Sequence, residues 1–229
     1  MKGFDLLRVL AMLLLVLVLA QFLPMILSGD WSWPEAWYSA IAAILAFGIS
    51  RGIAGRRHSD LIAERAQFMQ AKDTRPWDRV LAPLLAVLWM LVMAAAGLDR
   101  AYHGPQGFPL PVKILAGLLV AAGYWVSSAA LVENRFFSGT VRIQRERGHE
   151  VVSTGPYRFV RHPGYAGGLL VYLSTPLLLD SVWTLLPALL LAFVLILRTA
   201  LEDRTLQAEL PGYREYAART RYRLLPGVW

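Results

Sequence analysis

The 229-residue chain contains no cysteine, which excludes disulfide bonds and every metal site that depends on thiolate ligands. Its four histidines are scattered along the chain without ligand spacing, so we do not expect a zinc site or any other metal centre. The sequence also contains no glycine-rich phosphate loop and no dinucleotide fingerprint. Any nucleotide-like cofactor would therefore bind without a Rossmann domain.

Charged residues are scarce, and long hydrophobic runs take their place. Only 17% of the residues are charged and 56% are hydrophobic, whereas a soluble domain usually carries about 25% charged residues. Four runs approach the ~20 residues that cross a hydrocarbon core, at 9–27, 36–53, 80–98 and 114–132. Two shorter runs, 166–179 and 182–197, are separated only by Asp180-Ser181 and predict a tight helical hairpin. The predicted fold is an all-α polytopic membrane bundle of about six spans.

The basic residues predict the orientation of these spans. Of the 23 Lys and Arg residues, all but Arg100 and Lys113 fall in segments that six spans place on one side. The positive-inside rule assigns that side, with both termini, to the cytoplasm. We interpret the first run as a retained span because it is longer than a signal-peptide core and lacks a clear cleavage site. The net charge of +7 then reflects cytoplasmic loops, and no nucleic-acid partner is expected. The absence of an internal repeat and the position of the charges at span ends argue against a transporter.

The segment Arg161-His162-Pro163-Gly164-Tyr165 lies at the start of the predicted hairpin. Proline disfavours helix at the residue before it and suits the first helical position, so we predict that His162 is the N-cap and that Pro163 opens the fifth span. The positive end of that helix dipole would face the cytoplasm, where it can hold a carboxylate or phosphate. An ordinary capped helix explains the same residues equally well.

An ionisable pair ends the last hydrophobic run. Arg198 and Glu202 are four residues apart, so they share one helix face about 6 Å apart along the axis, with Arg198 deeper in the membrane. Ionisable residues at this depth are costly and indicate a functional site, although an intrahelical salt bridge would give the same pattern. Because the hairpin is antiparallel, this pair and the His162-Pro163 helix start meet at the same membrane face.

Four motifs together carry a family resemblance: Gly155-Pro156-Tyr157, Arg161-His162-Pro163-x-Tyr165-x-Gly167, Arg198-x-x-x-Glu202 and Tyr213-x-x-Tyr216. They resemble the isoprenylcysteine carboxyl methyltransferase family and, more broadly, membrane phospholipid N-methyltransferases. The resemblance covers about residues 134–226. Over the first four spans it is mainly hydropathy, with a weak similarity at 63–66 and at 77–79. The sequence departs from the family at 210–213, where the family commonly has Phe-Gly before the first tyrosine.

The resemblance implies a membrane methyltransferase whose cofactor, S-adenosylmethionine, binds on the cytosolic side. The hydrophobic runs predict four N-terminal spans within residues 1–132 with a cytoplasmic connector at 54–79, and the resemblance implies that residues 133–229 form the catalytic region. It implies that Arg198 faces the substrate. The cofactor-binding positions that it implies are His149, Val151, Val152, Tyr157, His162, Pro163, Tyr165 and Glu202.

The implied acceptor is a lipid-like or prenylated molecule that arrives from the membrane lipids. A carboxylate nucleophile is ionised at neutral pH and needs no general base, whereas an amine must first lose a proton. We therefore expect a carboxylate acceptor. Methylation of an amine, as on a phospholipid head group, and a membrane reductase that uses a nicotinamide cofactor remain the alternatives.

Overall fold

The structure is a computed structural model that describes residues 19–58, 60–61 and 73–229. Within these residues the chain forms α-helices and no β-strand. Two single-turn 3₁₀ helices, Arg145–Arg147 and Gly155–Arg158, interrupt the loop before the fifth α-helix. The α-helices of the described residues are α1 (Leu19–Ser28), α2 (Pro34–Arg57), α3 (Asp78–His103), α4 (Leu110–Glu133), α5 (Pro163–Leu178), α6 (Leu185–Glu209) and α7 (Tyr213–Arg219).

Four helices, α2, α3, α4 and α6, are long and apolar enough to cross a membrane. Large apolar side chains point outward along them, as Trp125 and Leu186 do with 72% and 73% exposure. This confirms the polytopic helical membrane bundle. The 16-residue helix α5 reaches about 24 Å, less than the ~30 Å of a hydrocarbon core. Parts of the first predicted span and of the 54–79 connector lie outside the described residues, so the six-span count stays a prediction.

The predicted helical hairpin is present between α5 and α6. Its turn contains Asp180, whose φ of +54° lies in the left-handed region. The Asp180 carboxylate accepts hydrogen bonds from the amides of Gly107 and Phe108 at 3.1 and 2.7 Å and pairs with Lys113 at 3.0 Å. The turn is thereby attached to the start of α4. Helix α6 then continues to Glu209, about 18 Å beyond the predicted end of its hydrophobic run at residue 197.

Glycines allow α4 and α5 to approach most closely. A Cβ atom on Gly123 would lie 2.6 Å from the carbonyl oxygen of Gly167, closer than real Cβ contacts come. Small residues permit this kind of helix crossing in a membrane, where dispersion contacts replace the hydrophobic effect. Near the crossing, the Ser127 hydroxyl donates a hydrogen bond to the Gly164 carbonyl at 3.0 Å. The first turn of α5 is therefore held against α4.

The stretch 141–143, whose alternation predicts a strand or an extended segment, is extended chain without strand pairing. The Val141 carbonyl accepts a hydrogen bond from the Arg75 amide at 3.0 Å, and the Val141 amide donates to Asp78 Oδ2 at 2.6 Å. The main chain of Val141 is thus satisfied by Arg75 and by Asp78, the first residue of α3, in place of a partner strand.

Candidate functional site

A cleft lies between the loop 134–162, the first turn of α5, the last turns of α6 and helix α7. It encloses about 800 Å³ including its mouth. Pro163 does not line the cleft; it is the buried first residue of α5 and determines where that helix starts. The cleft is lined by the other predicted cofactor-binding residues: His149, Val151, Val152, Tyr157, His162, Tyr165 and Glu202.

The start of α5 agrees with the sequence, with His162 as N-cap and Pro163 as first residue. The His162 side chain makes no capping hydrogen bond. Its carbonyl accepts from the amides of Tyr165 and Ala166, both at 3.0 Å, and its own amide donates to the carbonyl of Arg223 at 2.9 Å. Because proline has no amide hydrogen, this leaves the Gly164 amide as the main-chain donor that a ligand would meet at this helix start.

Tyr165 connects the two charged residues predicted at the end of α6. Its hydroxyl donates to Glu202 Oε2 at 2.6 Å and accepts from Arg198 Nη1 at 2.6 Å. Arg198 and Glu202 are therefore linked through this phenol. Within the described residues Glu202 Oε1 has no hydrogen-bond donor, so half of this carboxylate is available at the wall of the cleft.

Arg198 is paired with Asp78, which lies 120 residues earlier in the chain. Its Nε and Nη2 atoms donate to the two carboxylate oxygens at 2.6 and 3.0 Å, and Nη2 also donates to the Gly139 carbonyl at 3.1 Å. Both side chains are buried, with Asp78 fully inaccessible. With the bond to Tyr165, four of the five guanidinium N–H groups are used. Arg198 lies behind the cleft wall and does not line the cleft.

Asp203, the residue after Glu202, lies on a different face of the helix end and organises the residues around it. Its carboxylate is inaccessible and accepts two hydrogen bonds from Arg161 at 2.7 and 2.9 Å and one from Arg223 at 2.8 Å. The Tyr213 hydroxyl and the His162 ring approach the same carboxylate at 3.1 and 3.3 Å. One buried acid therefore joins α6, the start of α5, α7 and the C-terminal segment around the cleft.

His149 lies in the cleft as a neutral imidazole. Burial, together with the nearby arginines Arg142 and Arg147, lowers its pKa to about 4. The Gln144 amide donates to Nδ1 at 3.3 Å, so the proton of the neutral ring resides on Nε2. The ring lies against Phe136 with centroids 4.7 Å apart. His149 can thus offer one N–H donor to a ligand without adding charge.

Tyr157 forms an ordered part of the wall. Its hydroxyl accepts a hydrogen bond from Asn134 at 3.2 Å and donates to the Ala130 carbonyl at 3.4 Å, while its own carbonyl accepts from Tyr216 at 2.7 Å. Burial raises the pKa of Tyr157 well above its usual range, so the ring stays neutral. Tyr157 joins the end of α4 to α7.

A second and more apolar cavity lies among α1, α2, α3, α4 and α5, inside the part of the bundle that crosses the membrane. It encloses about 1330 Å³ including its opening. Phe137 and Gly164 line both this cavity and the cleft. A Cβ atom on Gly164 would lie 2.8 Å from the Phe137 ring, so this glycine leaves the space that the ring occupies. We call the second space the membrane cavity.

Sequence reasoning did not identify several residues that shape the site. Asp78 appeared only within the weak similarity at 77–79, and its pairing with Arg198 has no local signal because α3 and α6 are far apart in sequence. Asp203 was not singled out, although a carboxylate directly after the predicted site residue Glu202 is a usable signal. No sequence pattern indicated that Phe137 lies between the two cavities.

Comparisons with known proteins place the chain among membrane methyltransferases. Residues 112–210 match the family model of phospholipid methyltransferases. A rice protein (Oryza sativa subsp. indica) named "probable protein-S-isoprenylcysteine O-methyltransferase" is 35% identical over 163 residues, which cover 71% of this chain and 78% of the rice protein. The protein-S-isoprenylcysteine O-methyltransferase of Schizosaccharomyces pombe is 40% identical over 76 residues.

A reductase is also among the relatives. The mouse delta(14)-sterol reductase is 30% identical over 140 residues, or 56% of this chain. The match spans 33% of the reductase, and the match to the S. pombe methyltransferase spans 32% of that protein. Only the rice relative is thus matched over most of its length among these three.

Proposed function

The chain belongs to the protein-S-isoprenylcysteine O-methyltransferase family, and from this membership we propose that it transfers a methyl group from S-adenosylmethionine to the carboxylate of a lipid-like or prenylated acceptor. One observation carries the proposal. A polar cleft lined by seven of the eight predicted cofactor-binding residues adjoins an apolar cavity within the membrane bundle. A cofactor from water and an acceptor from lipid can therefore meet at Phe137 and Gly164.

The residues of the cleft fit S-adenosylmethionine. The free Oε1 of Glu202 can accept from an ammonium or from ribose hydroxyls, and the Gly164 amide can donate to a carboxylate. The Nε2–H of His149 is a further donor, while Val151 and Val152 offer an apolar surface for a base. We place the cleft on the cytoplasmic face, as the basic residues of the loops favour.

S-adenosylmethionine, when bound, supplies a methyl group already activated on a sulfonium. The chain then has to hold the acceptor in line with that methyl group and keep water away, which is the main source of rate when no general base is required. Glu202, His149 and the Gly164 amide would hold this cofactor, which would supply the methyl group for the acceptor carboxylate and would leave as a neutral thioether. An ionised carboxylate gives up no proton in this step.

Arg198 is the residue that we propose for positioning the acceptor. Arg198 lines neither cavity, so it would act on the head group through Tyr165, which lines the cleft and whose hydroxyl accepts from Arg198 Nη1 at 2.6 Å. Asp78 and Gly139 hold the rest of the guanidinium in a fixed orientation. The acceptor tail would occupy the membrane cavity, where its apolar surface leaves water.

Two alternatives rest on specific similarities. The match to phospholipid methyltransferases favours an amine acceptor, and the match to the mouse sterol reductase favours hydride transfer from a nicotinamide cofactor. The products separate all three reactions. A methyl ester is released as methanol by mild base, an N-methyl group is stable to base, and a reductase consumes the reduced nicotinamide without transferring methyl label.

The test is incubation of the purified protein with radiolabelled S-adenosylmethionine and a membrane lipid extract, followed by base treatment and identification of the labelled product. In parallel, calorimetry should show that Glu202→Gln weakens S-adenosylmethionine binding by about 1–3 kcal/mol, the cost of a lost charged hydrogen bond. Glu209→Gln is the matched control, because Glu209 lies on the same helix outside the cleft. Unchanged affinity in Glu202→Gln, or tighter binding of a nicotinamide dinucleotide, would refute the proposed cofactor site.

A further inference from the structure

The membrane cavity contains polar groups that the chemistry at the cleft does not use. Gln21, Tyr124 and Tyr172 all line it. The Gln21 side chain is only 6% exposed, and its Oε1 has no hydrogen-bond donor among the described residues. In the same part of the chain neither tyrosine hydroxyl has a hydrogen-bond partner. An amide left unpaired in a membrane interior is costly, so its presence indicates a ligand with a complementary group.

These three side chains lie at one depth in the bundle. On α4, Gly117 packs against Leu178, the last residue of α5. Tyr124 lies about 10 Å further along α4 than Gly117 does. Tyr172 lies about 9 Å before the end of α5, and Gln21 lies about 10 Å before the end of α1. Measured from the cleft, Tyr172 lies about 12 Å along α5 from Gly164.

Three other polar side chains of the cavity, Ser50, Ser127 and Arg51, already have partners. The Ser50 hydroxyl donates to the Ala46 carbonyl at 2.5 Å within its own helix, and the Ser127 hydroxyl donates to the Gly164 carbonyl. The guanidinium of Arg51 stacks over the ring of Phe47 at 3.6 Å. Among the described residues that line the cavity, Gln21 Oε1 is the buried polar atom without a hydrogen-bond partner.

Building on the proposed function, we propose that the acceptor tail carries a hydroxyl group about 12 Å from its methylated head, bound by Gln21 with Tyr124 and Tyr172. A hydroxyl donates one hydrogen bond and accepts two, so it can satisfy the Gln21 carbonyl and also accept from a tyrosine. A plain hydrocarbon tail fills the same space and leaves the amide unpaired. Methyl transfer remains at the head, and no bond in the tail forms or breaks.

The test uses synthetic alkylthioacetic acids, which share a carboxylate head and differ in a tail hydroxyl. One tail is plain, and the others carry the hydroxyl near the head, about 12 Å along the tail, or at its far end. Equilibrium binding to protein in lipid nanodiscs is measured without a methyl donor. We expect the middle hydroxyl to bind at least about 10-fold more tightly than the plain tail, since one buried hydrogen bond is worth a factor of this order.

Two variants assign that preference to the cavity. Gln21→Leu should abolish the preference and improve binding of the plain tail, and Tyr172→Phe should reduce it. Thr175→Val is the matched control, because it also removes a hydroxyl group from α5. The Thr175 hydroxyl donates to the Val171 carbonyl, and Thr175 does not line the cavity. Thermal melting confirms that each variant is folded.

The results separate this inference from the proposed function. Equal binding of all four tails overturns the inference, including the case in which water alone satisfies Gln21. A preference that survives in Gln21→Leu also overturns it. Methyl transfer to the plain tail without a hydroxyl preference supports the proposed function and refutes the tail hydroxyl. A hydroxyl preference in binding with no transfer to any tail supports the inference and counts against the proposed function.

Discussion

Arg198→Lys is the substitution that best separates acceptor positioning from structural support. The wild-type guanidinium is 5% exposed and uses four N–H groups on Asp78, Gly139 and Tyr165. Lysine keeps the positive charge beside Asp78, so the variant avoids the loss of about 3–5 kcal/mol in folding free energy that an unpaired buried charge causes. We therefore expect a folded protein with near-normal S-adenosylmethionine affinity.

The expected loss lies in turnover. A lysine ammonium donates from a single point, and it cannot span both oxygens of Asp78 while also reaching the Tyr165 hydroxyl. The Tyr165 side chain, through which Arg198 acts on the acceptor, is then displaced, and a displacement of about 1 Å can cost about 100-fold in rate. We expect methyl transfer to fall by about that factor, in kcat more than in cofactor binding.

The measurement pairs cofactor affinity by calorimetry with methyl transfer to the acceptor from the lipid extract, on the same preparation. Arg204→Lys is the matched control, since Arg204 is an exposed arginine on the same helix. Transfer close to wild type in Arg198→Lys would reduce Arg198 to a structural role. Equal losses of binding and transfer would assign Arg198 to the cofactor pocket. Either result would refute the acceptor-positioning argument.

Three further predictions follow from other parts of the chain. Because the protein has no cysteine, single cysteines at Ser28 and Gly148 should react with a membrane-impermeant reagent from opposite sides, and labelling from the same side would contradict the topology. Burial, chiefly, lowers the pKa of His149 from 6.5 to about 4, so the unfolded chain takes up this proton at a higher pH than the folded chain does. Thermal stability should therefore fall as the pH drops from 6.5 to 4, and His149→Gln should lose that part of the pH dependence. An identical pH dependence in the variant would count against a buried neutral ring. Gly167→Ala should prevent stable folding, since the added Cβ would overlap the backbone of α4. Gly48→Ala, whose added Cβ would have no atom within 4 Å, should melt like wild type, and equal melting temperatures of the two variants would disprove the close crossing.

Much of the architecture is encoded locally and is readable without coordinates. The lengths of the hydrophobic runs identify a membrane bundle because each must match the hydrocarbon core. The start of α5 follows from Pro163, which restricts its predecessor and lacks an amide hydrogen. The Asp180-Ser181 break identifies the hairpin. These features depend on a few neighbouring residues, so no tertiary contact is needed to predict them.

The predicted site residues came from family motifs; the structure brings seven of the eight to one cleft, and their roles stay predictions. The motifs named which residues matter but not how they are connected. The link from Arg198 through Tyr165 to Glu202, for example, requires α5 and α6 to face each other with a particular rotation. Sequence spacing alone left an intrahelical salt bridge equally open.

Only the tertiary structure decided which charges pair and where the two cavities meet. Asp78 forms an ion pair with Arg198, 120 residues later in the chain. Asp203 binds Arg161 and Arg223, whereas its neighbour Glu202 faces the cleft. Adjacent helical residues point about 100° apart, so helix rotation assigns one acid to the cleft and the other to a buried network. That rotation is determined by side-chain packing among helices distant in sequence, and no local pattern in the chain specifies it.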